Sequence, residues 1–140
     1  MRDRLKVILL SFFLLAGSSF LQEVQAQDQV ITNIRDAMKA GSSRELARHF
    51  SDMVDLNIKT RLYSFSDDDI TKDKTPFVLK QFFDKYPNAD YSTVHQGSSE
   101  DGISFTIGRY SYDSGKARVW IVLKKTGNEY KVTKFSLEEE

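Results

Sequence analysis

The C-terminal third of this 140-residue chain is built from apolar-polar alternation punctuated by glycine turns. Residues Ile103–Tyr112, Lys116–Lys124 and Glu129–Leu137 read as strands, separated by Asp113-Ser114-Gly115 and Thr126-Gly127-Asn128. Tyr91–Gln96 supplies a fourth strand ahead of a Gly97–Gly102 turn. A period of two between turn signals is the pattern of antiparallel strands with one face buried. Such a sheet must be covered on its apolar face, so the preceding residues have to provide the cover.

They carry helical periodicity. Val30, Ile31, Ile34, Ala37 and Met38 form one apolar stripe, which predicts a helix over 28–40, with Gly41 at a left-handed C-terminal cap. Ser42 and Glu45 form a capping box that opens a second, shorter helix, whose inner face is Leu46, Ala47 and Phe50. Val54, Leu56 and Ile58 alternate with Met53, Asp55 and Asn57 as a half-buried strand, and Thr60–Phe65 is a short partner for it. Asp67-Asp68-Asp69 reads as a solvated turn leading to a third helix over 72–85. Pro76 is tolerated in that helix's first turn, and Leu79, Phe82, Phe83 and Tyr86 form its apolar stripe.

The central hairpin has two candidate registers. A three-residue loop, with Gly115 left-handed, sets Phe105 opposite Leu123, Ile107 opposite Ile121 and Arg109 opposite Val119. It also sets Gly108 opposite Trp120, leaving room for the indole. A two-residue loop is expected to bring Phe105 against Lys124, so the first register is preferred because it keeps an apolar face intact. Tyr110, Tyr112, Arg118, Trp120 and Val122 then share the outward face. Tyr, Arg and Trp are residue types enriched at interface hot spots, which makes the face a candidate surface for a homodimer or another protein partner.

The first residues speak to destination. Arg2, Arg4 and Lys6 precede an apolar run over Val7–Leu15, and Val24-Gln25-Ala26 ends in small residues. This order of charge, short apolar stretch and cleavage site is that of a secretory signal peptide. Cleavage after Ala26 leaves one domain over 27–140, periplasmic or secreted and not membrane-bound. The chain has no cysteine, so lipid attachment at a cysteine is excluded and stability must come from packing rather than disulfides. Twenty basic residues balance 20 acidic ones, which offers no electrostatic footprint for nucleic acid.

The sequence also resembles a known family. The residues that carry the likeness are Ile34-Arg35-Asp36-Ala37, Ala40-Gly41, Glu45-Leu46-Ala47 with Phe50, Phe82-Phe83, Val94-His95-Gln96-Gly97 and Arg118 through Lys125. They are similar to the domain of unknown function 4783, a family of small exported Bacteroidota proteins within the nuclear-transport-factor-2-like (NTF2-like, cystatin-like) superfamily. The resemblance implies an α+β cone: three N-terminal helices packed on a curved antiparallel sheet of four main strands plus a short strand pair. It brings no established activity and no catalytic residues.

Chemistry is sparse. His95, Tyr63 and Tyr91 are the candidates for a polar group lining a pocket in such a cone, where a small molecule could bind and a histidine could act as a base. No carboxylate partner can be assigned to His95, so no catalytic residue is named. His49 reads as a cation complementing the C-terminus of the second helix. Two histidines without ligand spacing do not make a zinc site. The aspartate run lacks the alternation and glycine of a calcium loop. Neither metal nor cofactor is expected. The expectation is an exported binding or interaction module; the alternative is a small-molecule binder or vestigial enzyme using the cone near His95.

Overall fold

A computed structural model describes residues 25–99 and 101–140. The expected leader lies outside the described residues, except for Gln25 and Ala26, which are helical. Helix α1 covers 25–40 in its described part, and α2 is Ser43–Ala47. Strands β1 (Phe50–Lys59) and β2 (Ser64–Thr71) follow, then a 3-10 turn over Lys72–Lys74 that runs into α3 (Thr75–Lys85). Four strands complete the chain: β3 (Asp90–Ser98), β4 (Ile103–Tyr112), β5 (Gly115–Thr126) and β6 (Glu129–Glu139).

The joint between α1 and α2 is built as its residues dictate. Gly41 has φ +63°, and its N–H donates to Met38 O while the N–H of Ser42 donates to Ala37 O. This double closure satisfies carbonyls at the end of α1. The Ser42 hydroxyl then accepts from the N–H of Glu45 at 3.2 Å, opening α2. That helix is shorter than expected, because Phe50 already belongs to β1.

The six strands of the described residues form one open sheet in the order β2-β1-β6-β5-β4-β3. The expected separation into four main strands and a side pair is therefore corrected: β1 pairs with β6, and does so in parallel. The helices are not all N-terminal either, since α3 lies between β2 and β3. What holds is the α+β architecture of a curved, unclosed sheet with helices on one face. Val54, Leu56 and Ile58 point inward as the alternation requires. They meet Val119, Ile121, Leu123, Phe135 and Leu137 from the sheet and Ile34, Met38, Leu46, Leu79 and Phe82 from the helices. Each such fully buried side chain contributes about 1.5–3 kcal/mol to folding.

Two local expectations fail for one reason. Asp67–Asp69 lie within β2, with Asp67 opposite Leu56, and not in a turn. The turn is instead at 60–63, where the N–H of Thr60 donates to Tyr63 O and the N–H of Tyr63 to Thr60 Oγ1. An edge strand needs no apolar outer face, and a run of charge there blocks pairing with other chains.

The hairpin register is the largest correction. The loop has two residues, Asp113 and Ser114, with Tyr112 opposite Gly115, and Gly115 takes no positive φ. Phe105 therefore faces Val122, Ile107 faces Trp120 and Gly108 faces Val119. A slip of one residue turns every side chain of β4 to the other face. The two-residue loop does not oppose Phe105 to Lys124 as expected, so the objection to it disappears.

Candidate functional site

The slip redistributes the candidate interface. Tyr110 and Tyr112 point into the core, 2% and 9% exposed, whereas Trp120 stands outside at 47%, with Arg118 also exposed. The five residues expected on one face are thus split, the two tyrosines inside and Arg118, Trp120 and Val122 outside. In place of the tyrosines, the outer face of β3–β5 presents Phe105, Ile107 and Val122, half-buried, with Ile103 at 39% and Val94 at 59% exposure. Sequence reasoning placed Val122 on this face but missed the others, because it set Phe105 and Ile107 inside. The signal that could have found them is the loop count, since Tyr112 and Gly115 can pair directly across Asp113-Ser114.

His95 belongs to this outer face. The β3–β4 register shifts between Thr93 and His95, and His95 sits opposite Ile107 with its ring 5.8 Å from that of Phe105. Gly97, on the same strand, lies opposite Phe105, and a Cβ there would come within 2.7 Å of the Phe105 ring. Glycine thus lets the aromatic lie flat across the edge strand.

The face changes character across the sheet. Toward β1 and β2 it is polar: Asn57 Nδ2 donates to Asp55 Oδ1 at 2.6 Å, Ser66 Oγ donates to Asn57 Oδ1, and Lys134 pairs with Asp55 at 3.8 Å. The apolar patch is therefore bounded, with Trp120 and Val122 of β5 opposite Ser136 and Lys134 of β6 at the border.

The three residues expected around a cone pocket are not brought together. His95 is outside, Tyr91 is buried inside, and Tyr63 is half-buried in the β1–β2 turn. Tyr91 takes the space over Gly108 that had been assigned to Trp120, since a Cβ on Gly108 would fall 2.1 Å from the phenol oxygen. Burial pushes the Tyr91 hydroxyl up to about 12, partly offset by a hydrogen bond with Thr106. Burial likewise raises Tyr110 to about 12 and moves Tyr63 upward. These phenols are neutral donors at physiological pH.

The interior beside α3 is filled with rings. Phe82 lies 5.5 Å from Tyr110 and 5.2 Å from Tyr86, and Tyr86 lies 4.4 Å from Tyr112. The hydroxyl of Tyr110 donates to Tyr86 O at 3.1 Å, and that of Tyr112 to Glu139 Oε1 at 2.6 Å. The backbone N–H of Arg61 donates to the other oxygen of Glu139 at 2.7 Å, and that of Leu62 to Tyr86 Oη at 3.1 Å. This clamp ties β4, β6, the end of α3 and the β1–β2 turn together.

His49 departs from its expected role. It follows α2, and its carbonyl accepts from the N–H of Val132 on β6 at 2.8 Å. Burial first, and then Lys131 and Arg48, lower its pKa, so its surroundings favour the neutral ring over a cation. Among the described residues no group of three or more His, Cys, Asp or Glu side chains is placed to hold a metal ion. Among them, too, no helix is long and apolar enough to cross a membrane.

Comparison with known proteins agrees with this geometry. A crystal structure of a DUF4783 family protein from Bacteroides ovatus is similar, with TM-score 0.67 and 30% identity over 77% of this chain and 93% of that one. One from Bacteroides uniformis has TM-score 0.67 and 25% identity over 78% and 95%. An NTF2-like protein of unknown function from Shewanella baltica shares the fold at TM-score 0.64 and 14% identity, over 86% and 96%. No curated protein matches the chain. The model of the family described as "Domain of unknown function (DUF4783)" matches residues 31–138, and the chain, with its NTF2-like fold, belongs to that family.

Proposed function

We propose that this domain is a non-catalytic binding module that self-associates through the outer face of β3–β5. The observation that carries the reading is Trp120, 47% exposed amid an apolar patch that also includes Val94, Ile103, Phe105, Ile107 and Val122. Contiguous apolar area of this kind, rimmed by polar groups, is characteristic of interaction sites. A second copy suits it as partner because an apolar patch is complementary to itself across a two-fold axis. Residues 27–140 carry 17 basic and 18 acidic side chains, a net charge of −1 that imposes little repulsion between copies.

Trp120→Ala tests this by sedimentation equilibrium of the 27–140 protein. A tryptophan that becomes buried at an interface typically costs about 2 kcal/mol or more on truncation, so the dimer should weaken by about 30-fold while the circular dichroism spectrum is retained. A wild-type protein that stays monomeric at about 100 μM, or a variant that dimerises equally well, overturns the reading. We place the module outside the cytoplasm, on the strength of the basic residues and apolar run that precede Ala26. An exported protein whose mass begins at a residue other than Gln27 would move the cleavage site.

A further inference from the structure

Away from the outer sheet face, a groove of about 660 Å3 opens between α2, the start of β1 and the turn joining β2 to α3. Arg44, Ala47 and Arg48 line it from α2, where spacings of three and four put them on one helix face. Thr71, Lys72, Asp73 and Pro76 line it from the turn and the first residues of α3, and Asp52 from β1. The volume falls within the range of small-molecule sites, about 300–1,000 Å3. Its apolar surface comes chiefly from the half-buried Pro76 and the aliphatic stems of the basic side chains, which cover apolar surface while their charged ends reach water, and Ala47 lies buried at its floor.

The charges on the rim are unequally committed. Arg48 pairs with Glu45 at 3.1 Å. The carboxyl of Asp73 is held below its ordinary range, first by the approach of the Thr71 hydroxyl and then by N–H groups of the turn, although Thr71 stops short of a well-aligned hydrogen bond. Asp73 thus serves the turn. Arg44 and Lys72 have no ion pair among the described residues. A guanidinium offers a planar fork to an oxyanion, and an ammonium adds a second donor. Asp52, also on the rim, opposes a second negative charge on the ligand.

We propose that this groove binds a monoanionic amphiphile, an apolar ring or chain seated on Pro76 and the arginine stems with its oxyanion held by Arg44 and Lys72. The probe is 8-anilinonaphthalene-1-sulfonate, titrated into the 27–140 protein and followed by amide chemical shifts. The expected result is saturable shifts at 44–48 and 71–76, at least tenfold weaker binding in Arg44→Gln/Lys72→Gln, and no change in Trp120→Ala. Inorganic phosphate, which lacks the apolar body, should not compete at equal concentration. Shifts confined to β3–β5 and lost in Trp120→Ala overturn the proposal, as does unaltered binding in the double variant. Both substitutions lie on exposed or half-exposed side chains, and a retained amide spectrum verifies the fold.

Discussion

At the scale of single residues, glycine carries more of this structure than any polar side chain. Gly108 is irreplaceable for space and not for conformation, because a Cβ there would lie 2.1 Å from Tyr91 Oη and 2.4 Å from its Cζ. Both partners are buried, so neither can swing into solvent. Gly108→Ala should therefore destabilise the domain by about 1–3 kcal/mol or more, the cost of overpacking. Tyr91→Phe should not rescue it, since the ring carbons still clash. Urea unfolding of the two variants checks this, and a loss under about 0.5 kcal/mol for Gly108→Ala would show that the ring moves freely. The position was visible in the sequence as a glycine inside a strand. Its neighbour was misassigned because the expected β4–β5 register was one residue off, which set Trp120 in place of Val119 opposite Gly108.

Between elements, the Glu139 clamp makes stability depend on pH. Glu139 has its pKa lowered below 4.5, first by the hydrogen bond from Tyr112 and then by the N–H of Arg61. A group depressed on folding adds stability that is present above its unfolded pKa and lost as pH falls through the folded one. Tyr112 is shifted upward, by burial first and by Glu139 second, so its contribution is present at neutral pH and fades above about pH 10. His49, lowered chiefly by burial, adds a separate loss that begins as pH falls through 6.5. Unfolding free energies measured as pH is lowered from 8 to 3 should thus decline in two steps. Glu139→Gln should flatten the step below pH 4.5 and leave the one that begins below pH 6.5 in place. An unchanged lower step in that variant would remove Glu139 from the account.

For the whole molecule, the open sheet leaves two edges with different chemistry. β2 carries Asp67, Asp68 and Asp69, all exposed, and β3 carries a register shift and the flat Phe105 ring over Gly97. Charge and irregular pairing are two ways of denying an edge to other chains. Replacing the three aspartates with threonine should raise aggregation on heating, with little change in the unfolding midpoint, because these side chains make few tertiary contacts. Light scattering during a thermal ramp tests it, and scattering equal to wild type would show that the edge is protected by other means.

The sequence by itself determined what local physics controls. The helix α1 and its Gly41 cap, the Ser42 cap, the alternation of β1, the aromatic stripe of α3 and four C-terminal strands all follow from periodicity and turn chemistry. The fold class was legible as well, since those elements in that order resemble one family. Three things were decided only in the tertiary structure. The parallel pairing of β1 with β6 joins residues about 80 positions apart, and no local pattern encodes such a pairing. The aspartate run became an edge strand because strand formation there rests on pairing with β1 and not on propensity. The hairpin register turned on a single loop residue, and with it which aromatics lie in the core and which face outward. Tyr110 and Tyr112 look like surface residues by type, yet each finds a distant partner for its hydroxyl, Tyr86 O and Glu139, and that is information the sequence around them does not hold.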